Sequence, residues 1–530
     1  MTRMLKSLSF LLLSSTFFAA QASAQTTIKA ASCNVSDVAA AIGQATADGD
    51  VVAIPAGDCI WTTPLQATIP NSLTVQGAGA ATPQGGSDKT IIEDGVNHST
   101  GDPAVFQVTT TAGKSFRLTG IAFYGYSGNT SVTYNGVVRI YGGSHSLRVD
   151  HCHFYHLNSA DMVIAGWLYG VVDHCLFDEA VADENGVRVE DGAWNNDAAG
   201  FGDQSWADAP YFGSDKFVFI EDCTFNWQGS SSYYAAADDC EGGGRLVFRH
   251  NTLNGHVYFQ THETSNDLRG CRAVEVYDNT ATASTNPSTD VYAFFIQTRS
   301  GTGLVWGNTT TSYLQLVNAF NDRSTDQLTF AAPPNGWGYC GITRGPSAWD
   351  QNTDSTGYAC LDQVGRGKED LLAGVFPNKV DSVTNTITWP NQAVEPYYVW
   401  DNTYNPPPNE AYDGYFSSQQ PSVIKVNRDY YVQLPNYNEP NVTFNGTAGV
   451  GQGLLSARPS TCAAGPGGNT PGVAYWATDA NNGNGELYVC TAANTWTAFY
   501  KPYQYPHPLD TDSPQTTSGP PSNLRVTSVQ

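Results

Sequence analysis

The chain has 530 residues and carries 25 Lys and Arg against 49 Asp and Glu, a formal net charge of −24. Such a surface repels phosphate backbones, which excludes nucleic acid as a partner and requires a local basic patch or a bound cation if an acidic glycan is to dock. Only 14% of residues are charged while Gly, Asn, Thr and Tyr abound, a composition that suits a strand-rich extracellular protein.

Arg3 and Lys6 precede an apolar run from Leu8 to Ala20, and Ala22-Ser23-Ala24 supplies a small-x-small pattern. Residues 1–24 therefore read as a secretory signal, too short and wrongly flanked for a membrane anchor. No later stretch is apolar and long enough to span a bilayer, so the expected protein is secreted, extracellular and without a membrane span. Export favours disulfides among the 11 cysteines. Local loop closure suggests Cys33–Cys59, Cys240–Cys271, Cys340–Cys360 and Cys462–Cys490. No zinc-type ligand spacing occurs.

From Ser36 to Ala47 a cap residue and apolar spacing predict a short amphipathic helix. Strand-like runs follow at Asp50–Gly57 and Leu73–Gly77. A helix lying over a first coil shields its open edge.

A repeat then dominates. Ser146-Leu-Arg-Val-Asp-His-Cys-His-Phe154 aligns with Gly170-Val-Val-Asp-His-Cys-Leu-Phe177 and Val218-Phe-Ile-Glu-Asp-Cys-Thr-Phe225. Leu246–Leu253, Val274–Ala281, Leu304–Thr310 and Tyr398–Tyr404 share the register, as does Ser115–Phe123 upstream. The pattern is apolar-x-apolar, two turn residues, Cys or Asn, then x-apolar. Period-two alternation marks strands with one buried face, and a two-residue break is too tight for a helical crossover. Stacked coils of a parallel solenoid satisfy both constraints. The key positions Ile121, Cys152, Cys175, Cys223, Asn251, Asn279 and Asn308 are separated by 31, 23, 48, 28, 28 and 29 residues, one coil each, with a long loop inside the gap of 48. Asn402 continues the series. Buried Asn at a stacked turn bonds its neighbour's amide and the backbone, and Cys152, Cys175 and Cys223 fill the same slot as small buried hydrophobes.

The predicted class is all-β: a right-handed parallel β-helix with an N-terminal capping helix over residues 25–320. A loop-rich insertion with Cys340 and Cys360 spans 321–395. Residues 396–510 hold a last rung and an irregular C-terminal region, with a strand pair near Val473–Trp476 and Leu487–Tyr500. Residues 511–530 read as a flexible tail.

The helix followed by "DVVAIPAG", the "VDHCHF" and "VVDHCLF" turns and the Asn turns resemble the pectate-lyase-like superfamily of right-handed parallel β-helices. Within it, "GGRLVFRHNTL", "RGCRAVEVYDNT", "WGYCG…GYACLDQVGRG", Arg428-Asp429-Tyr430-Tyr431 and Tyr505-Pro506-His507-Pro508-Leu509 are similar to a group of bacterial β-helix repeat proteins. The resemblance runs from about Cys33 to Leu509. It implies the fold; the superfamily holds polysaccharide lyases, glycoside hydrolases, adhesins and phage tailspikes, so the chemistry rests on the site. Asp238-Asp239-Cys240 resembles the paired aspartates of polygalacturonases, whereas the companion Asn-Thr-Asp and "RIK" motifs of that family are absent.

Coil arithmetic places a further strand in each coil, at Val137–Tyr141, Val187–Val189, Tyr233–Ala236, Val257–Gln260, Ala293–Gln297 and Leu314–Val317. The loops after them stack ~4.8 Å apart. They bring Glu190-Asp191, Asp238-Asp239, His262-Glu263 and Arg299 into one column, with Arg269 and Arg272 on the loop of His262. Glycan β-elimination needs a neutraliser for the uronate, a base and an acid. His262, Asp239 and Arg269 are the predicted catalytic set. Glu263, Arg272, Arg299, Tyr233 and Tyr234 are predicted to bind substrate. A calcium ion held by Asp238, Asp239, Glu190 and Asp191 is the alternative neutraliser. Trp194, Trp206 and Trp227 either stack on sugars or pack the loop Asp178–Lys216 onto the solenoid.

The leading expectation is a polysaccharide lyase acting on an acidic glycan. A non-catalytic glycan-binding adhesin or fibre-forming protein is the rival class, and an inverting glycoside hydrolase, which needs two carboxylates ~6.5–9.5 Å apart, is the third reading.

Overall fold

The computed structural model describes residues 25–511 apart from 181–184, 199, 230–234, 264–267, 284–293, 321–361, 368–378, 382–385, 389–392, 408–413, 420 and 422–423. The predicted signal, the Cys340–Cys360 bridge, Tyr233, Tyr234 and tail residues 512–530 lie outside the described residues.

Alternating apolar residues with two-residue breaks produce the predicted architecture, a parallel β-helix. Each full coil contributes one strand to each of three sheets. Sheet 1 has twelve described strands, sheets 2 and 3 ten each, and every neighbour within them is parallel and one coil away in sequence. One coil runs Val218–Glu221 in sheet 1, Thr224–Trp227 in sheet 2 and Ala235–Glu241 in sheet 3. Inward residues stack on their equivalents. Phe123, Phe154, Phe177 and Phe225 form a continuous stack with centroids 5.5, 4.9 and 4.4 Å apart. Each buried ring contributes roughly 1.5–3 kcal/mol.

The break between sheets 1 and 2 explains the repeat. Its first residue adopts positive φ in coil after coil: His151 (52°), His174 (53°), Asp222 (55°), His250 (56°), Asp278 (54°), Gly307 (67°) and Asp401 (55°). Gly, Asn, Asp and His tolerate that region best, so histidine here serves a turn. The next residue points inward and forms a ladder. Asn251, Asn279, Asn308 and Asn402 each accept, through Oδ1, from the backbone amide one coil back at 2.9–3.1 Å. Their Nδ2 groups donate to the carbonyls of Ile220, Phe248, Val276 and Val305. Cys152, Cys175 and Cys223 occupy the earlier rungs as buried free thiols.

The capping helix spans Val35–Gln44, shorter than the predicted Ser36–Ala47 because Ala45 is already extended. Val38, Ala41 and Ile42 join the solenoid core. The Cys33–Cys59 disulfide and a bond from Trp61 Nε1 to the Cys33 carbonyl (2.8 Å) hold the preceding turn.

Residues expected to be irregular form a second packed unit. The predicted strand pair is part of a four-stranded sheet of Val450–Gly453, Ala474–Ala477, Glu486–Ala492 and Thr495–Tyr500, closed by Cys462–Cys490. It covers the outer face of sheet 1 in a second core that includes Phe219, Tyr277, Trp306, Trp400, Trp476 and Tyr500. The chain then returns along that face. Arg249 donates to the carbonyls of Tyr503 (3.0 Å) and Gln504 (2.9 Å), and Arg148 to Asp510 (2.8 Å).

Three of the predicted disulfides are present, including Cys240–Cys271, which fits an oxidising compartment. No helix among the described residues is long and apolar enough to cross a membrane.

Candidate functional site

The outer face of sheet 3 gathers most of the predicted column. Its strands Asn185–Glu190, Ala235–Glu241, Val257–Thr261 and Phe294–Thr298 are consecutive neighbours. Register aligns Arg188 with Asp239, Asp239 with Gln260, and Gln260 with Gln297. Glu190 aligns with Glu241. His262-Glu263 and Arg299 directly follow the last two strands. Outward alternation thus sets a patch of four carboxylates (Glu190, Asp239, Glu241, Glu263), two guanidinium groups and one imidazole.

Asp238 and Asp239 lie within a strand rather than in the loop expected after it. A register shift between Ala236 and Asp238 absorbs one extra residue. Asp238 then pairs with Val187 and Phe259, both core residues, and Asp239 with Arg188 and Gln260. The two carboxylates therefore project from opposite faces, which separates the predicted calcium ligands. Asp238 is fully buried with no hydrogen-bond partner on either oxygen, and burial followed by the Asp239 charge holds its carboxyl well above the usual range. Asp191 is likewise withdrawn: it accepts from the Arg245 amide at 2.9 Å, and burial pushes it up to about 7.

On the outer face the contacts are loose. Arg188 lies 3.4 Å from Glu241, 3.9 Å from Asp239 and 3.9 Å from Glu190. Arg299 reaches Glu263 at 3.3 Å and bonds Gln297 at 2.8 Å. His262 Nδ1 sits 3.5 Å from Glu263 and 3.9 Å from Glu241. Burial alone pushes its imidazole down, but the charges of Asp239, Glu263 and Glu241 outweigh that and favour the protonated ring. Burial pushes Glu241 up to about 7 against the pull of His262 and Arg188. Arg188 Nε and Asp239 Oδ1 are buried without hydrogen-bond partners.

The backbone beneath is firm. The Cys240–Cys271 disulfide, Cα atoms 5.1 Å apart, staples the strand of Asp239 to the chain entering the next coil. The His262 amide donates to the Cys240 carbonyl (2.7 Å), and Ser300 Oγ donates to the His262 carbonyl (2.5 Å).

Arg269 and Arg272 do not join this patch. Arg269 grips Asp362 with two bonds (2.7 and 2.5 Å) and Asp203 with a third (2.8 Å). Arg272 donates to the Asp208 carbonyl and pairs with Glu395 at 2.8 Å. Both guanidinium groups lie near the Trp206 ring, 5.2 and 5.4 Å from its centroid. Both arginines are engaged in docking the loop of Trp206 and the insertion, so neither stands as the predicted neutraliser. Trp194 serves the same loop: it is buried beneath Arg245, 4.0 Å from the ring. Trp227 is buried in the solenoid core.

Sequence reasoning missed Arg188, Glu241, Gln260 and Gln297. For Arg188, Gln260 and Gln297 the signal was present, since they lie within the strands already assigned; Glu241 lies beyond the assigned Tyr233–Ala236, on a strand that runs on to it. Two further acid–histidine groups, Asp150 with His151 and Asp173 with His174, have structural roles. Arg117 bonds Asp150 at 2.6–2.7 Å and Arg148 bonds Asp173 at 2.9–3.1 Å.

No family model matches the chain, and no curated protein matches it. Among solved structures it is similar to the crystal structure of Escherichia coli YbhC, at 12% identity and a TM-score of 0.32, over 54% of this chain and 77% of that one.

Proposed function

We propose that the protein is a secreted carbohydrate-active enzyme of the pectate-lyase-like type, cleaving a glycan that lies across the outer face of sheet 3. Hydrolysis by paired carboxylates fits the patch better than the elimination expected from sequence. The observation that carries this reading is the pair Asp239 and Glu241. They are two residues apart on one strand face, a backbone separation of ~6.6 Å, so both carboxyl groups face the same side, as an acid and a water-activating base must. Burial holds Glu241 protonated up to about pH 7, as a general acid requires. Asp239, with one oxygen unbonded, is the base. His262 and Arg188 set the charge around Glu241. Within the described patch Arg188 and Arg299 are cations that can meet an acidic sugar, and they support elimination as the second reading.

The test is a panel of neutral and acidic polysaccharides assayed for new reducing ends and for unsaturated uronides. Reducing ends without unsaturation, lost in Glu241→Gln, support hydrolysis. Unsaturated products move the assignment to a lyase. Inactivity of the folded wild type on every glycan leaves the adhesin or fibre-forming class.

A further inference from the structure

The outer face of sheet 2 differs in character from the charged outer faces of sheets 1 and 3. Five consecutive coils present Thr224, Thr252, Thr280, Thr309 and Thr403 in one column. The parallel column reads Asn226, Asn254, Thr282, Thr311 and Asn405 in the same register. The last four members of both columns are exposed, and the residues between them, Leu253, Ala281, Thr310 and Tyr404, are buried. Asn254 Nδ2 donates to Asn226 Oδ1 at 2.8 Å, tying two rungs together.

These ten positions hold no charge and no aromatic ring, on a chain of net charge −24. Beyond Asn226 the neutral column ends at Asp178. The geometry repeats in two directions, ~4.8 Å between coils and ~6.6 Å along each strand. Threonine is stiff at χ1, so its hydroxyl and methyl groups are held at fixed places before anything binds, which lowers the entropic cost of ordering a partner.

We propose that this face is an ice-binding surface. Its partner is crystalline water, an uncharged lattice of alternating donors and acceptors whose repeats are close to both spacings. Neutrality of the face complements neutrality of the lattice. Each hydroxyl or amide anchors one water, and a water so held costs little to immobilise. The methyl groups between them leave that layer without competing polar partners. A sugar-binding platform would be built from aromatic rings, which both columns lack. The inference is independent of the chemistry on sheet 3.

The experiment grows a polycrystalline ice shell in a dilute solution of the full-length secreted protein and measures the fraction taken into the ice, with thermal hysteresis alongside. Wild type is expected to concentrate in the ice and to separate melting from freezing. Thr282→Lys and Thr311→Lys place charges in the centre of the array and are expected to reduce uptake to that of a non-binding protein. Thr282→Ser and Thr311→Ser, which keep the hydroxyl and perturb folding least, are expected to lower hysteresis partially. Thr497→Lys, at an exposed threonine of the C-terminal sheet, is expected to leave uptake unchanged. Wild-type uptake equal to a non-binding control overturns the proposal. So does unaltered uptake in both lysine variants with unchanged circular dichroism, or lysine-sensitive binding to an insoluble neutral polysaccharide without uptake into ice.

Discussion

The outer faces of sheets 1 and 3 both bury charged side chains, and they treat them in opposite ways. On sheet 1, Arg249 is saturated by Glu221 (2.6 Å), the Tyr277 hydroxyl (2.7 Å) and two returning carbonyls, and the C-terminal sheet seals the surface. On sheet 3, ion pairs stretch to 3.3–3.9 Å, and Arg188 Nε and Asp239 Oδ1 lack hydrogen bonds. Unsatisfied atoms occur on sheet 1 as well, at Arg245 Nε, Trp306 Nε1 and Trp400 Nε1, so it is the length of the ion pairs that separates the two faces. Close, capped pairs hold the molecule together; the longer ones on sheet 3 border the half-buried Arg188, His262 and Arg299, which a substrate can reach.

The sharpest way to break this contrast is to mutate the loose side. Asp239→Asn and Glu241→Gln are expected to lower the cleavage rate by about 10²–10⁴-fold, the usual worth of a general acid or base, with little change in melting temperature. A matching loss of stability would place these carboxylates with the structural pairs. The sealed side should answer in the opposite currency. Arg249→Ala strands Glu221 in a dry interface and is expected to cost roughly 3–5 kcal/mol in denaturant unfolding. Arg188→Ala, whose pairs are longer but whose partners Asp239 and Glu241 are also buried, is expected to cost less than Arg249→Ala, on the order of 1–3 kcal/mol.

The contrast also marks what was legible in the sequence. Coil register, the Asn ladder and the Glu190, Asp239, His262, Glu263 and Arg299 column follow from periodicity, because a parallel solenoid converts sequence spacing directly into neighbours. Arg269 and Arg272 were misplaced because their partners, Asp362, Asp203 and Glu395, come from an insertion and a long loop that obey no repeat. Glu241 was missed for a local reason. The extra residue near Ala236 moves Asp238 inward and extends the strand to Glu241, and a one-residue shift exchanges the two faces of a strand. The cover over sheet 1 was hidden as well, since Tyr503–Asp510 meets residues more than 250 positions earlier.

A smaller effect tests whether sheet 3 depends on its staple. Removing Cys240–Cys271 by a double Cys→Ala change is expected to cost roughly 2–4 kcal/mol, as for other loops of this length. Cleavage under native conditions should also fall, because the bridge fixes the strand that carries Asp239 and Glu241. Full activity with reduced stability would show that the register of sheet 3 is held by its hydrogen bonds alone.

A pH-dependent effect separates the two faces. Glu275 lies in the sealed interface, accepting from the Gly213 amide at 2.7 Å and the Tyr500 hydroxyl at 2.8 Å, and burial pushes it up to about 7. A carboxyl raised above its unfolded value, ~4.3, binds its proton more tightly in the folded state. Its contribution to stability is therefore complete below about pH 4 and is lost as pH rises towards 7. Glu275→Gln keeps an acceptor for both donors and removes the titration. Wild type and variant should melt together near pH 4, while at pH 8 the variant should be the more stable by up to roughly 3–4 kcal/mol, the worth of a rise from ~4.3 to about 7. Glu241, raised by the same burial but beside His262 and Arg188 on the outer face of sheet 3, should reveal itself in activity: cleavage falls as pH rises through about 7, and that limb disappears with the residual activity of Glu241→Gln. If Glu275→Gln shifts the activity limb instead, the sealed and open faces are coupled through the coil they share, and the division between them fails.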